Sequence, residues 1–250
     1  MKLNLAPLWD ICIQLMWGES FVFGLDKFLK SHGVKKILDC GGGTGFPSIN
    51  LKKLGWDISY CDNSKMMIDS FKEKLRKNNL QIPYYQTSWI ELTKNIPENF
   101  DAVLCRGNSL IYVDSWENNQ VKKVVRENIK KSLQQFFNIL NTKGLLYIDI
   151  ANEKEYHQLN YPIIENIGER TINGKKIKLI WKIYHDYEKK LRTVETTMTI
   201  DGQELSYVLY SYLLQHDELL DLMNEVGFKD VKQVKIPGEE NYNVFVGFKK

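Results

Sequence analysis

Long apolar runs, blocks of like charge and closely spaced cysteines are all missing from this chain of 250 residues. No stretch approaches the roughly 20 apolar residues that span a bilayer. The N-terminus has no basic region running into an apolar core and a small-residue cleavage site. These absences predict a cytoplasmic protein with no membrane partner. Thirty-four basic residues stand against 31 acidic ones, a net charge of +3, which is too mild to argue for nucleic acid. Lysine pairs such as Lys35-Lys36 and Lys122-Lys123 read as solvated faces. Cys12, Cys40, Cys61 and Cys105 stand apart, in or beside apolar segments. That spacing suits neither a zinc site nor a disulfide framework, so they read as reduced core residues. His157 and His185 are lone histidines, and no metal is expected. Neither an internal repeat nor a low-complexity linker breaks the chain.

What is present is the composition of a folded globular protein, 43% hydrophobic and 26% charged. Two short apolar runs, "ILDC" (37–40) and "DISYC" (57–61), read as buried strands around a helix from Pro47 to Leu54, with Gly55 as its stop. A second helix starts near Ser64 and carries Met67, Ile68, Phe71 and Leu75 on one face. "FDAVLC" is a further strand ending at Cys105. Apolar residues from Val121 to Leu140 recur at three- and four-residue spacing, which predicts a helix over 117–140, closed by Gly144 and followed by the strand "LLYIDI". Strand–helix alternation of this kind predicts an α/β fold with a doubly wound parallel sheet.

The pattern then changes. From about 170 to 214 the chain alternates as antiparallel strands do, with Asp201-Gly202 as a hairpin turn. A helix over 216–226 stops at Gly227, and "VKQVKI" and "NVFVGF" close the chain as a hairpin. Residues 1–250 thus read as one domain, in which 37–150 and 215–250 form the core and 152–214 a small inserted antiparallel β lid.

The glycine loop carries the chemistry. Asp39-Cys-Gly41-Gly-Gly43-Thr-Gly45 follows one strand and opens one helix, so its backbone turns sharply and a ligand can lie against peptide groups with no Cβ between. Dinucleotide loops read GxGxxG. This loop reads DxGxGxG with an acid directly ahead, and Asp62 closes the next strand, where a carboxylate can accept two ribose hydroxyls. That set points to S-adenosylmethionine (SAM), with S-adenosylhomocysteine as the product.

On "ILDCGGGTG", "CDNSKMM" and "TSWIEL" followed by "FDAVLCRGNSLIYV", the sequence resembles the class I SAM-dependent methyltransferases, whose fold is a seven-stranded Rossmann-like sheet. Within them it is similar to glycine N-methyltransferase and its sarcosine and dimethylglycine relatives. The C-terminal order of lid, helix and hairpin also looks like that of the amino-sugar N-methyltransferases. The resemblance implies that Gly41, Gly43 and Gly45 line the methionine portion of SAM and that Asp62 holds the ribose. Asn63 and Met67 would border the adenine, with Ser88 and Trp89 on its other edge, and the main chain at Cys105-Arg106 would meet the SAM ammonium. On the residues alone, Met67 and Trp89 read as core rather than as ligand contacts. A homo-oligomer is implied by the resemblance only. Two departures stand out. Relatives carry an arginine in the N-terminal segment, whereas the first arginine here is Arg76. Glycine-type enzymes also have a carboxylate-binding arginine where this chain reads Ala151, and a neutral residue cannot replace a bidentate guanidinium.

For the methyl acceptor the candidates are Asn108 in "RGNS", then Tyr112 and Asp114, and Tyr207, Tyr210 and Tyr212 on the last lid strand, where residues of one parity face one side. Tyrosine faces also steady a cation. Asn108 can equally satisfy its own loop, the tyrosines can be half-buried sheet residues, and His216 reads as a helix start. Arg106, beside the expected methyl donor, points either to solvent or into the site in place of the cation missing at Ala151. The reading that results is a methyltransferase for a small-molecule substrate, acting on an amine nitrogen. The alternatives are a macromolecule (RNA or protein) methyltransferase, a small-molecule O-methyltransferase, and a SAM-binding module without turnover. No aromatic-basic platform for nucleic acid is visible.

Overall fold

Two sheets of different character organise the chain in the computed structural model, which describes residues 5–114, 117, 119–156 and 161–250. His157 lies outside the described residues. Two helices that the sequence reading leaves unassigned come first, α1 (Leu5–Met16) and α2 (Glu19–Ser31). The alternating unit follows: β1 (Lys36–Cys40), α3 (Ser48–Lys53), β2 (Asp57–Asp62), α4 (Lys65–Lys77) and β3 (Tyr84–Gln86). It continues through α5 (Leu92–Asn95), β4 (Phe100–Cys105), α6 (Val125–Ile139) and β5 (Leu140–Ala151). A short α7 (Glu153–Tyr156) leads into β6 (Ile163–Ile172), β7 (Lys175–Asp186), β8 (Leu191–Ile200) and β9 (Gln203–Tyr212). The chain ends with α8 (His216–Val226), β10 (Lys229–Val234) and β11 (Tyr242–Phe248).

The larger sheet has seven strands in the order β3-β2-β1-β4-β5-β11-β10. Strands β1 to β5 pair in parallel, whereas β11 runs antiparallel to both β5 and β10. Because side chains alternate along a strand, β1 sends Ile37 into a core with α1 to α4 and Leu38 and Cys40 into a second core with α5, α6 and α8. The sheet is therefore covered on both faces, as its apolar strands require. The chain order reverses between β1 and β4, which opens a crevice at the carboxyl ends of these strands.

Strands β6 to β9 form a separate antiparallel sheet in sequence order. Its inner face (Ile177, Leu179, Trp181 and Ile183 on β7, Val194 and Met198 on β8) joins the core beneath α1. Burial alternates residue by residue along β7 and β8, the mark of a sheet with one dry face. The lid sheet begins earlier than the predicted 170. Strand β6 is polar and interrupted by Gly168, so its pattern is weak. The turn after it, Asn173-Gly174, has φ of 50° and 78°, the paired positive values of a type I′ hairpin.

Two helix boundaries also differ. Helix α6 starts at Val125, not at 117, and Val121 packs against the core from outside it. The chain before α6 lines the crevice instead, through Asp114 and Glu117. At the other end α6 runs directly into β5 through an irregular register between Phe100 and Ala102, and the left-handed residue is Lys143 (φ 66°), not Gly144. Among the described residues no helix is long and apolar enough to cross a membrane.

Candidate active site

The carboxyl ends of β1, β2 and β4 open into a cavity of about 400 Å³, within the usual range for small-molecule sites. Its floor is the glycine loop. Gly41 and Gly43 have φ of 74° and 55°, which side chains other than glycine rarely adopt. A Cβ on Gly41 would also lie 2.7 Å from the Trp89 ring. The loop is tied down by Gly41 N–H, which donates to Cys61 O (2.8 Å), and by Tyr60 hydroxyl, which donates to Gly43 O (2.5 Å).

Asp62 organises the next part of the wall. Its Oδ2 accepts from Gly43 N–H (3.0 Å) and its Oδ1 from Ser64 N–H (2.8 Å). Burial holds its carboxyl above the usual carboxylate range, and these amides offset part of that rise. Ser64 caps α4 by accepting from Met67 N–H, which fixes Asn63 and Met67 on the cavity wall. Ser88 and Trp89 follow from the turn after β3, with Trp89 edge-on to Phe136 at 6.1 Å.

After β4 the chain turns through Gly107 (φ 71°) and Asn108 (φ 54°). Asn108 is 3% exposed, its N–H donates to Asp149 Oδ1 (2.7 Å), and its Oδ1 has no partner. Buried acceptors are rarely left unmade, so an N–H donor of a ligand fits there. Tyr112, Tyr207 and Tyr242 complete an aromatic wall with Trp9 and Trp181. Burial pushes all three phenols up, so they present hydroxyls, not phenolates. Cys12 meets Tyr207 hydroxyl at 4.0 Å, and burial pushes its thiol up to about 11.

Four residues expected at the cofactor have their side chains, or for Gly45 the Cβ direction, behind this wall. Asp39 is buried, takes Ser48 hydroxyl at 2.5 Å, and burial raises its carboxyl to about 6; it shapes the loop from beneath. Gly45 faces the core, where a Cβ would meet Phe71 at 2.5 Å. Cys105 is wholly buried in the second core. Arg106 points neither to solvent nor into the cavity: it lies over the rings of Phe21, Trp17 and Phe46. Its carbonyl is taken by Ser109 hydroxyl. Of the described residues lining the cavity, the basic one is Arg192 on β8, which the sequence reading misses. It is 4% exposed, and Glu155 grips it at Nε (2.6 Å) and NH2 (3.0 Å). His185 Nε2 lies 2.7 Å from the same carboxylate. A signal was available: Arg192 shares its parity with Val194, Thr196 and Met198, the buried face of β8. Tyr210 stays half-exposed, Tyr212 hydroxyl donates to Glu218 (2.8 Å), and His216 opens α8 with Nε2 at 2.9 Å from Ala151 O.

A seven-stranded doubly wound sheet, a cofactor loop of positive-φ glycines, an acid closing β2 and a lid over the crevice define a SAM-dependent methyltransferase. Residues 37–144 match the family described as methyltransferase domain. The chain is 30% identical over 220 residues to a glycine/sarcosine N-methyltransferase of Aphanothece halophytica, covering 86% of this chain and 72% of that protein. It is 32% identical over 208 residues to the enzyme of the same name from Halorhodospira halochloris, covering 81% and 69%. The SAM-bound amino pentose methyltransferase CalS10 from Micromonospora echinaspora shares the fold, with a TM-score of 0.76, 12% identity and 97% of each chain covered. The chain belongs to the SAM-dependent methyltransferase family that includes the glycine/sarcosine N-methyltransferases, and its cofactor is SAM.

Proposed function

We propose that the protein methylates the nitrogen of a small amine held between the glycine loop and the lid sheet. The observation that carries this reading is Asn108 Oδ1, a buried acceptor without a partner on an aromatic-walled cavity. SAM, when bound, supplies a methyl group already activated on a sulfonium. The chain's task is to bind, orient and exclude water, and orientation of this kind supplies up to about 7–11 kcal/mol of barrier reduction.

Gly41 and Gly43 give the methionine end an unobstructed backbone, and Asp62 takes the ribose hydroxyls. Asn63, Met67, Ser88 and Trp89 enclose the base. Asn108 accepts one N–H of the acceptor amine and so aims its lone pair. An ammonium has no lone pair, and burial among apolar rings favours the neutral amine. The rings of Tyr112 and Tyr207 face the methylated, cationic product. Residues 152–214 act as the lid. The names of the relatives, glycine/sarcosine and amino pentose methyltransferases, bring two acceptor classes into view. Arg192 favours the first, since a guanidinium fixed by Glu155 offers its remaining N–H groups to a carboxylate.

The test is mass spectrometry after incubation with methyl-deuterated SAM and glycine, sarcosine, dimethylglycine, glycinamide and amino sugars. Label on glycine or sarcosine but not on glycinamide is expected. Absence of label from every amine, with SAM bound, would sink the reading.

A further inference from the structure

Behind the aromatic wall lies a buried charge cluster that the reaction itself does not use. Arg106, Asp149 and Glu239 have side chains 5%, 0% and 1% exposed. Arg106 Nε is 4.0 Å from Asp149 Oδ2, and its NH2 is 3.7 Å from Glu239 Oε2. Both distances exceed a hydrogen bond, and Arg106 Nε and NH2, Asp149 Oδ2 and Tyr147 hydroxyl have no partner. An arginine does not give up its proton, so the cluster is held by charge and by the ring faces of Phe21 (4.1 Å), Trp17 (5.0 Å) and Phe46 (5.5 Å).

Each carboxylate uses its other contacts on the main chain of a cavity segment. Asp149 accepts from the Asn108 amide at 2.7 Å, and the neighbouring Gly107 amide also favours its ionised form. Glu239 Oε1 accepts from Asn241 and Tyr242 amides, both at 3.2 Å, and its Oε2 accepts from Trp17 Nε1 at 2.7 Å. Gly107, Asn108 and Tyr242 all line the cavity.

We propose that Arg106 is the positioning residue of the acceptor wall: through Asp149 it sets Gly107 and Asn108, and through Glu239 it sets Tyr242. The proposal concerns the wall and holds whichever acceptor is methylated. Asp149 and Glu239 share one base here, and Asp39 beneath the glycine loop is a third acid within its field, so none of them is balanced without it. Burial raises the Asp149 carboxyl to about 7 even with Arg106 beside it. Glu239, Tyr147, Cys105 and Tyr242 are the other titratable groups that face Asp149. Each is acidic or neutral, so Arg106 is the group that favours its ionised form. Ionised, Asp149 is the stronger acceptor for the two amides.

The test follows the Gly107, Asn108 and Tyr242 amides by NMR through the neutral pH range, in the full chain saturated with S-adenosylhomocysteine. In the unmodified protein the Gly107 and Asn108 amides are expected to titrate together near neutrality, and in Asp149→Asn to stop titrating. Arg106→Met should move that midpoint upward by about one unit, a tenfold change in ionisation, and displace the Tyr242 signal. Arg106→Lys keeps the charge and should bring the midpoint most of the way back. A role in packing alone lowers the melting temperature of Arg106→Met and leaves the midpoint in place, which would overturn the proposal. So would amides that do not titrate in the unmodified protein. If Arg106→Met fails to fold, Arg106→Gln, which also removes the charge, decides: an unshifted midpoint with unmoved Asn108 and Tyr242 signals overturns it equally. No methyl acceptor is needed, so failure here is separate from failure of the amine reading.

Discussion

At the scale of single residues, Asn108 concentrates the chemistry because its backbone is as unusual as its side chain. With φ of 54° and ψ of 31° it sits in the left-handed region, which glycine enters at no cost and other residues enter at about 1–2 kcal/mol. Asn108→Gly therefore removes Oδ1 and leaves the turn intact. Calorimetry should find SAM affinity close to that of the parent, while kcat/KM on whichever amine accepts label falls about 10- to 100-fold, the loss of one buried hydrogen bond. Asn108→Ala adds the backbone cost and should lose melting temperature as well. An equal loss of SAM affinity in Asn108→Gly would place Oδ1 on the cofactor instead. Asp62 has its own test. Its carboxylate holds Gly43 and Ser64 amides, and Asp62→Ala should weaken SAM binding by about 1.5–3 kcal/mol, the range for hydrogen bonds to a charged group. Gly41, Gly43 and Asp62 were readable from sequence because loop and strand end are local. Arg192, Trp181 and Tyr242 reach the same cavity through strand register and lid docking; the parity of β8 marks Arg192 as inward-facing, but no local pattern encodes which cavity it meets.

At the scale of elements, the join between α7 and β8 decides how the lid sheet is held. Glu155 on α7 grips Arg192 on β8 and His185 on β7. Burial alone would raise its carboxyl, but Arg192 and His185 hold it down to about 2. A carboxyl lowered by folding stabilises the fold above its unfolded range, near 4.5, and loses that contribution as pH falls toward 2. Urea midpoints measured down this range should fall steeply for the parent and flatten for Glu155→Gln. At neutral pH, Glu155→Gln should cost about 3–5 kcal/mol, because it leaves Arg192 buried without its counter-charge. The elements themselves divide by the strength of their periodicity. Helix α8 was legible to the residue because Gly227, with φ of 114°, ends it. The start of α6 was not, since apolar spacing alone does not tell a helix from a segment that packs Val121 on the core and turns Asp114 toward the cavity. Strand β6 was lost for the opposite reason, with too little alternation to count.

At the scale of the whole molecule, α1 joins the two sheets across the cavity. Its inner face supplies Leu5, Trp9 and Cys12 to the cavity. Its Asp10 accepts from Thr44 of the glycine loop and pairs with Lys74 of α4 at 2.5 Å. On the lid side, Arg170 NH1 donates to Gln14 O (2.8 Å), and Cys12 faces Tyr207. A ligand bound beneath α1 therefore has to be released past a helix held from both sides. Local opening of such a helix has its own free energy, smaller than that of global unfolding. Ligand binding raises it by RT ln(1 + [L]/Kd), about 2.7 kcal/mol at a hundredfold excess over Kd. Hydrogen exchange should show this directly: S-adenosylhomocysteine should slow the amides of α1 and the glycine loop together, by up to about 100-fold in the opening equilibrium. Asp10→Asn removes the charge that joins Thr44 and Lys74. It should speed α1 exchange in the free protein and raise the cofactor off-rate, with β7 and β8 unchanged. If α1 exchanges at the same rate with and without ligand, the helix is not the cover of this site, and the cofactor must enter beneath the lid sheet instead.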